Sequence, residues 1–232
     1  FSLHSDQWWN ESGSFEILHR INPVRIKYIN NNILNYKKIK VEKKYPLKHI
    51  KIIDLGCGGG LVCEPLARLG AEVSGYDFVE KNIIEAKKHA VEENLNIEYN
   101  VGNINDLYTS KKYDVVLMLE IIEHLNNWKN SIKKIDQLLK DKGIVIFSSI
   151  NRNLLSKFAA IFLAEKVLKW IPRGTHQYNK LVRPNELVKI LKINNYKVLD
   201  TSGMIYNPIT RNWRISKTKT KINYFCTAQK IS

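Results

Sequence analysis

The stretch Asp54-Leu55-Gly56-Cys57-Gly58-Gly59-Gly60 decides the fold of this chain. It follows a strand-like apolar run at 50–53 and precedes a helix-like apolar stretch at 61–69. Glycine carries no Cβ, so the chain can turn sharply and a ligand can approach its backbone. Glycines where a strand meets a helix are typical of sites for nucleoside-bearing cofactors. Their spacing is not the G-x-G-x-x-G of dinucleotide folds, and Asp54 comes first, so the sequence does not favour a dinucleotide.

A second acidic residue, Asp77, ends the next strand-like run and lies 23 residues after Asp54. A carboxylate about twenty positions past a glycine loop can accept hydrogen bonds from both ribose hydroxyls. Glycines alone would also suit a tight surface turn, with Asp77 an ordinary loop carboxylate; the combination favours a ribose site. D-x-G-x-G-x-G after a strand resembles the first motif of the S-adenosylmethionine-dependent methyltransferases, and the resemblance implies that cofactor.

Strand-like and helix-like runs alternate through the middle of the chain. The strand-like runs are 50–54, 72–77, 96–101, 113–119 and 143–148, and the helix-like runs are 61–69, 80–93 and 128–140. This alternation predicts an α/β fold with a parallel sheet and helices on both faces. Pro184 suits the first turn of a further helix, and two more strands are expected near 197–201 and 222–227. The resemblance implies a class I methyltransferase fold, with a seven-stranded, mostly parallel sheet whose last strand is antiparallel.

Composition sets broad limits on the function. The 232 residues, 44% of them hydrophobic, are enough for one α/β domain with a real core. The net charge of +15 indicates an anionic partner, either nucleic acid or a membrane surface, although much of it lies in lysine- and asparagine-rich stretches. Cys57, Cys63 and Cys226 lack metal-binding spacing and are consistent with a reducing compartment. No apolar run reaches the roughly 18 residues needed to cross a bilayer.

A second chemical cluster, Glu120, Glu123 and His124, directly follows the strand-like run at 113–119. Ligands of parallel sheets bind beyond the carboxyl ends of the strands, so these side chains are expected near the substrate. If the segment turns helically, the three share one face and can converge on a divalent cation. Two carboxylates favour Mg²⁺, and an imidazole also admits Mn²⁺ or Zn²⁺. The alternative is a pocket without metal that His124 simply lines.

Longer segments are similar to the ubiquinone-biosynthesis O-methyltransferases. The matching segments, in order, are Trp8-Trp9-Asn10, 18–25, Asn151-Arg152-Asn153, Gly174-Thr175-His176 and 206–210. That family methylates ring hydroxyls of polyprenylated catechols, so the resemblance implies polyprenyl-dihydroxybenzoate and demethylubiquinol as substrates. The alternatives are another small molecule or RNA. No N-P-P-Y-type stretch follows the fourth strand, and no nucleic-acid partner is predicted.

The resemblance also implies roles for individual residues. By the family pattern, the cofactor contacts fall on Arg25, Gly56, Asp77 and Leu119, and Asp54, Gly58 and Asn103 complete the predicted set. The guanidinium of Arg25 would clamp the methionyl carboxylate. Glu120, Glu123 and His124 fall on Mg²⁺-binding positions and are the predicted catalytic residues. With a cation they would hold both catechol oxygens; without one, His124 or Glu123 would act as general base.

The chain is predicted to be a single methyltransferase domain, 1–232, with two additions. An amino-terminal helical lid, 1–45, carries Trp8 and Trp9, which would cover the cofactor or act as a hydrophobic anchor. An insertion at 151–183 contains a helix-like stretch, 154–172, rich in large apolar groups and lysines. Such a helix suits the headgroup boundary of an anionic membrane, where it would give access to a polyprenyl substrate. A core helix or an oligomer contact is the alternative.

The helix-like stretch 154–172 and a lipid-soluble substrate together predict a peripheral membrane protein. It would lie on the matrix side of the mitochondrial inner membrane, or on the cytoplasmic face of the inner membrane of a bacterium. A multi-enzyme complex of ubiquinone synthesis is a further predicted partner.

Overall fold

A computed structural model of the chain describes residues 2–37, 43–107, 109–153, 178–207, 209–210 and 212–231. Its helices are α1 (Glu16–Lys37), α2 (Cys63–Arg68), α3 (Glu80–Glu92), α4 (Trp128–Leu138) and α5 (Pro184–Ile193). The strands are β1 (Lys51–Leu55), β2 (Glu72–Asp77), β3 (Glu98–Val101), β4 (Tyr113–Leu119), β5 (Leu139–Ile150), β6 (Tyr196–Asn207), β7 (Asn212–Ser216) and β8 (Asn223–Lys230). Short 3₁₀ helices span Ser2–Gln7, Ile104–Asp106, Ile122–His124 and Tyr178–Lys180.

The eight strands of the described residues form one sheet in the order β3-β2-β1-β4-β5-β8-β6-β7. Strands β1 to β5 pair in parallel, and β8 runs antiparallel between β5 and β6. The predicted α/β methyltransferase sheet with an antiparallel last strand is therefore confirmed. Compared with the expected seven strands, the sheet has one more, because β7 forms a hairpin with β6 at the edge.

Helices cover both faces of the sheet, as the continuous apolar strands require. All seven residues of β4 are buried, and its side chains alternate between two cores. Val115 and Leu117 belong to the core beneath α1, α2 and α3. Val116 and Met118 belong to the core beneath α4 and α5. The central strands are thus shielded from water on both sides, and only their ends are open to a ligand.

The register of the parallel strands brings the predicted site residues to one edge. Asp54 of β1 pairs with Gly75 of β2 and Leu117 of β4, so the carboxyl ends of these three strands lie together. The backbone N–H of Gly56 then donates to the carbonyl of Tyr76 at 2.7 Å, which anchors the start of the glycine loop on the neighbouring strand. This edge is where a doubly wound sheet binds its ligand.

Some boundaries differ from those expected. The helix predicted at 128–140 ends at Leu138, because Leu139 already pairs with Tyr113 at the start of β5. Strand β7 lay in a segment of the sequence where no strand was expected; its Trp213 packs against the core that α1 covers. Pro184 begins α5 as predicted, and the Glu186 carboxylate caps the helix start by accepting the backbone N–H of Arg183 at 3.2 Å.

Part of the predicted insertion lies outside the described residues, namely 154–177. This part includes the helix-like stretch 154–172 and the segment Gly174-Thr175-His176. In the portion of the chain that is described, none of the helices combines the length and the apolar character needed to cross a bilayer.

Candidate cofactor and active site

A cavity of about 430 Å³ opens at the carboxyl ends of β1, β2 and β4. This volume lies in the range of small-molecule sites. The cavity brings together most of the residues singled out from the sequence: Arg25, Asp54, Gly56, Gly58, Asp77, Asn103, Leu119, Glu120 and His124. Glu123 is not on its wall. It is buried behind the cavity, at 3% exposure, where its carboxylate accepts a hydrogen bond from the hydroxyl of Ser149 at 3.1 Å.

The glycine loop is shaped so that only glycine fits at its turns. Gly56 and Gly58 have φ angles of +78° and +54°, in the left-handed region that other residues rarely adopt. A Cβ on Gly58 would lie 2.5 Å from Cη2 of Trp8, whose ring covers the loop. The glycines therefore place bare backbone at the cavity wall, and the Trp8 ring packs directly against it.

The Asp77 carboxylate, at 7% exposure, is held by the two segments that flank the cavity. Its Oδ2 accepts a hydrogen bond from the backbone N–H of Gly58 at 2.9 Å. Its Oδ1 accepts from the backbone N–H of Val79 at 2.8 Å and from the side-chain amide of Asn82 at 3.3 Å. Two carboxylate oxygens offer about four acceptor positions in all, so Asp77 keeps capacity for a hydroxyl donor from a ligand.

Arg25 of α1 lies buried under the cavity among carboxyl groups. A guanidinium nitrogen lies 3.8 Å from Oε1 of Glu120, and the Nε atom is buried without a hydrogen-bond partner. Burial lowers the pKa of Arg25, while the negative charges of Glu120, Asp54 and Glu123 oppose that shift. An unpaired buried N–H costs free energy, so this nitrogen is suited to an anionic ligand group.

Asp54, at the end of β1, is also removed from water. Burial raises its pKa to about 7, and the neighbouring Cys63 thiol and the charge of Arg25 act in the opposite direction. A carboxyl group with this pKa is partly protonated at neutral pH. A cationic group of a ligand beside it would drive it to the ionised form.

Glu120 and Glu123 are neighbours, and the serines at the end of β5 hold them. Glu120 has a positive φ of +56°, its backbone N–H donates to the carbonyl of Ser148 at 3.0 Å, and its Oε1 accepts from the Ser148 hydroxyl at 2.8 Å. Burial, followed by the charge of Glu120, raises the pKa of Glu123 well above its usual range. The Oε1 atom of Glu123 is buried without a hydrogen-bond partner.

The expectation that Glu120, Glu123 and His124 share one helical face is not met. Glu120 takes the left-handed turn, and the 3₁₀ helix begins only at Ile122, so Glu120 precedes the helix. As a result His124 is exposed at the cavity, whereas Glu123 is buried. Over the described ranges, no three or more histidine, cysteine, aspartate or glutamate side chains are grouped as a metal site would require.

Sequence reasoning missed three residues that hold the site. Ser148 and Ser149 lie near the end of the apolar strand β5, and two hydroxyls at the carboxyl end of a buried strand were a usable signal. Asn82 carried no such signal: an asparagine in the first turn of a helix is common, and only the fold shows that it faces Asp77.

Comparison with known proteins agrees with this geometry. A family model described as a methyltransferase domain matches residues 31–201. A ubiquinone biosynthesis O-methyltransferase of Pelagibacter ubique is 44% identical over 224 residues, covering 97% of this chain and 92% of that protein. One of Mesorhizobium japonicum is 42% identical and covers 100% of this chain and 93% of that protein.

Solved structures share the fold. Magnesium protoporphyrin IX methyltransferase of Synechocystis with bound S-adenosylhomocysteine has a TM-score of 0.64 at 19% identity, covering 94% of this chain and 85% of that one. A methyltransferase of Clostridium acetobutylicum has a TM-score of 0.63 at 13% identity, with coverages of 91% and 92%.

Fold and site therefore define an S-adenosylmethionine-dependent methyltransferase. Within that class, the chain belongs to the ubiquinone biosynthesis O-methyltransferase family. The enzyme class and the family expected from the sequence are confirmed.

Replacing Gly58 tests the shape of the loop. Gly58→Ala would force a Cβ at positive φ against Trp8, so we expect about 1–2 kcal/mol of lost stability and at least tenfold weaker binding of S-adenosylhomocysteine. Gly102→Ala is the control for stability only, because its Cβ would lie 3.8 Å from Tyr76, an ordinary contact, whereas Gly102 itself lines the cavity. Thermal unfolding and calorimetric titration measure both quantities. Equal stabilities for the two variants would contradict the described shape of the loop.

Proposed function

We propose that this chain transfers the methyl group of S-adenosylmethionine to a ring hydroxyl of polyprenylated catechols in ubiquinone biosynthesis. The proposed substrates are a polyprenyl-dihydroxybenzoate and demethylubiquinol. The observation that carries the proposal is the 44% identity, over nearly the whole of both chains, with a protein named for this pathway. The cavity supports it, because the residues needed for cofactor and acceptor lie on its walls.

The cofactor would be held by its two polar ends. Asp77 would accept hydrogen bonds from the ribose hydroxyls, and the glycine loop would admit the nucleoside against its backbone. Arg25, with its unpaired buried N–H, would hold the methionyl carboxylate, and Asp54 would face the ammonium group. Asn103 and Leu119, both on the cavity wall, would complete the contacts. Bound S-adenosylmethionine supplies an electrophilic methyl group next to the acceptor.

The role of the protein's own residues in the reaction is to position the acceptor hydroxyl and to remove its proton. A phenol has a pKa of about 10 and is a weak nucleophile at neutral pH. Of the two candidate bases, His124 fits better: it lines the cavity, whereas Glu123 is buried behind it with a raised pKa. Without a bound cation, the proton of the acceptor hydroxyl passes to His124 and then to solvent. The methyl–oxygen bond forms as the methyl–sulfur bond of the cofactor breaks, and S-adenosylhomocysteine leaves.

As the alternative to a histidine base, we propose that Glu120, Glu123 and His124 hold a divalent cation, Mg²⁺. The donor chemistry suits a hard cation: two neighbouring carboxyl groups, one with a buried oxygen lacking a hydrogen-bond partner. As the side chains are arranged here, His124 does not join them in a group. Such an ion would supply positive charge against the catechol oxygens.

Membrane contact is a further part of the proposal. Its basis is sequence: the apolar and lysine-rich stretch 154–172, the +15 net charge and a polyprenyl substrate that partitions into lipid. The protein would then act at the surface of an inner membrane, mitochondrial or bacterial, as part of a ubiquinone-synthesis complex.

The experiment that tests this function is a methyl-transfer assay on a short-chain polyprenyl catechol. We expect methylation of the catechol and none of RNA, a rate lowered by chelator and restored by Mg²⁺, and faster turnover with substrate in anionic than in neutral vesicles. Methylation of RNA in preference to the catechol would overturn the assigned substrate. Full activity in the presence of chelator would overturn only the Mg²⁺ proposal. Equal rates with substrate in anionic and in neutral vesicles would overturn only the proposal of an anionic membrane.

Two substitutions separate catalysis from cofactor binding. Glu120→Gln and His124→Ala should each lower turnover by about 10²-fold or more, because acceptor positioning or proton removal is lost. Their Kd for S-adenosylhomocysteine should stay within about threefold of the wild type, since neither is a proposed cofactor contact. Glu92→Gln, at an exposed carboxylate of α3, is the control and should change neither quantity. If cofactor affinity fell in step with turnover, both residues would belong to the cofactor site instead.

The raised pKa of Asp54 predicts a pH dependence of cofactor binding. With a pKa of about 7, Asp54 is mostly protonated at pH 6 and mostly ionised at pH 8. Only the ionised form attracts the cofactor ammonium, so affinity for S-adenosylhomocysteine should rise by roughly tenfold between these values. Calorimetric titrations of the wild type and Asp54→Asn measure this. An equally steep rise in the variant would show that another group is responsible.

A further inference from the structure

Asn82, in the first turn of α3, connects the predicted lid to the proposed ribose carboxylate. Its side chain is buried, at 2% exposure. The amide oxygen accepts hydrogen bonds from the hydroxyl of Ser5 at 2.8 Å and from the indole N–H of Trp8 at 2.9 Å. The amide nitrogen donates to Oδ1 of Asp77 at 3.3 Å. One side chain thus links the amino-terminal segment and Asp77.

The orientation of this amide follows from the chemistry of its partners. An indole N–H donates and cannot accept, so the oxygen end of Asn82 must face Trp8. The nitrogen end then faces Asp77, where a carboxylate can accept from it. Any turn of the Asn82 side chain would break bonds on both sides at once.

Trp8 also closes the cavity over the glycine loop. A Cβ on Gly59 would lie 2.3 Å from Cγ of Trp8, so the indole rests directly on the loop backbone. Its other face stacks on Phe15, with ring centroids 3.9 Å apart and planes within 4°. We call residues 2–15 the tryptophan segment. This segment is held in place by the contacts of Trp8 with Asn82 and the glycine loop, and Trp8 lines the cavity.

A second contact that holds the tryptophan segment in place does not involve Asp77. Trp9 stacks on His89 of α3, with ring centroids 3.5 Å apart, and His89 contacts the buried Glu64 at 2.7 Å. The segment therefore has one attachment that touches Asp77 through Asn82 and one that does not. This difference provides a matched control.

We propose that Asn82 is a positioning residue that couples closure of the tryptophan segment to recognition of the ribose hydroxyls by Asp77. The inference rests on the proposed cofactor site. Ribose hydroxyls that donate to Asp77 add to the bonds from Gly58 and Val79 that hold its carboxylate in the orientation that accepts the Asn82 amide. The amide oxygen is then held towards Ser5 and Trp8, and the segment closes over the ligand. A ligand without those hydroxyls leaves the carboxylate freer to turn and the closure weaker.

The test compares S-adenosylhomocysteine with its 2′,3′-dideoxy analogue by calorimetric titration. Asn82→Ala removes both halves of the link, and Asn82→Asp keeps an acceptor for Trp8 but places a second carboxylate beside Asp77. For either variant we expect roughly tenfold weaker binding of S-adenosylhomocysteine and less than a twofold change for the analogue. The control Trp9→Leu loosens the other attachment and should weaken both ligands by the same factor.

The outcomes distinguish this inference from the function on which it rests. If Asp77→Asn leaves the preference for ribose hydroxyls unchanged, the proposed cofactor site is wrong. If Asp77→Asn removes that preference but the Asn82 variants weaken both ligands equally, only the coupling is wrong. If a variant does not fold, hydrogen exchange of the wild type provides the test. At equal saturation, S-adenosylhomocysteine should protect the backbone amides of residues 2–15 from exchange more than the analogue does. Equal protection would overturn the proposal.

Discussion

The site depends on how the buried carboxylate of Asp77 is satisfied. Removing a charge from water is costly unless hydrogen bonds compensate for it. The donors that compensate for Asp77 come from the glycine loop, through Gly58, and from the start of α3, through Val79 and Asn82. These bonds hold the loop, the helix and, through Asn82, the tryptophan segment in one arrangement. The cavity is the space that this arrangement leaves at the end of the sheet.

The charges around the cavity explain which ligand suits it. One buried cation, Arg25, stands among the carboxyl groups of Asp54, Glu120 and Glu123. Burial raises the pKa values of Asp54 and Glu123, and the negative charges of neighbouring carboxyl groups add to these shifts. The site therefore favours partners that bring positive charge. S-adenosylmethionine carries a sulfonium and an ammonium group, and its carboxylate would be matched by Arg25. The electrostatics of the fold and the proposed chemistry therefore agree.

Much of this could be predicted from sequence because it lies in local patterns. The glycine loop, the position of Asp77 and the alternation of strands and helices are properties of neighbouring residues, and a parallel sheet brings strand ends to one edge. The fate of Glu123 could not be predicted in this way. Its burial depends on the left-handed turn at Glu120, and no pattern in the local sequence predicts that turn. The link through Asn82 joins residues 74 positions apart and exists only once the chain has folded.

The proposed chemistry requires that Asp77 and the glycine loop hold the sugar of the cofactor. A crystal structure with S-adenosylhomocysteine tests it most directly. We expect both ribose hydroxyl oxygens within hydrogen-bond distance of the Asp77 carboxylate, and the amino-acid carboxylate against Arg25. A nucleoside bound elsewhere, or a ribose whose hydroxyls face away from Asp77, would contradict it.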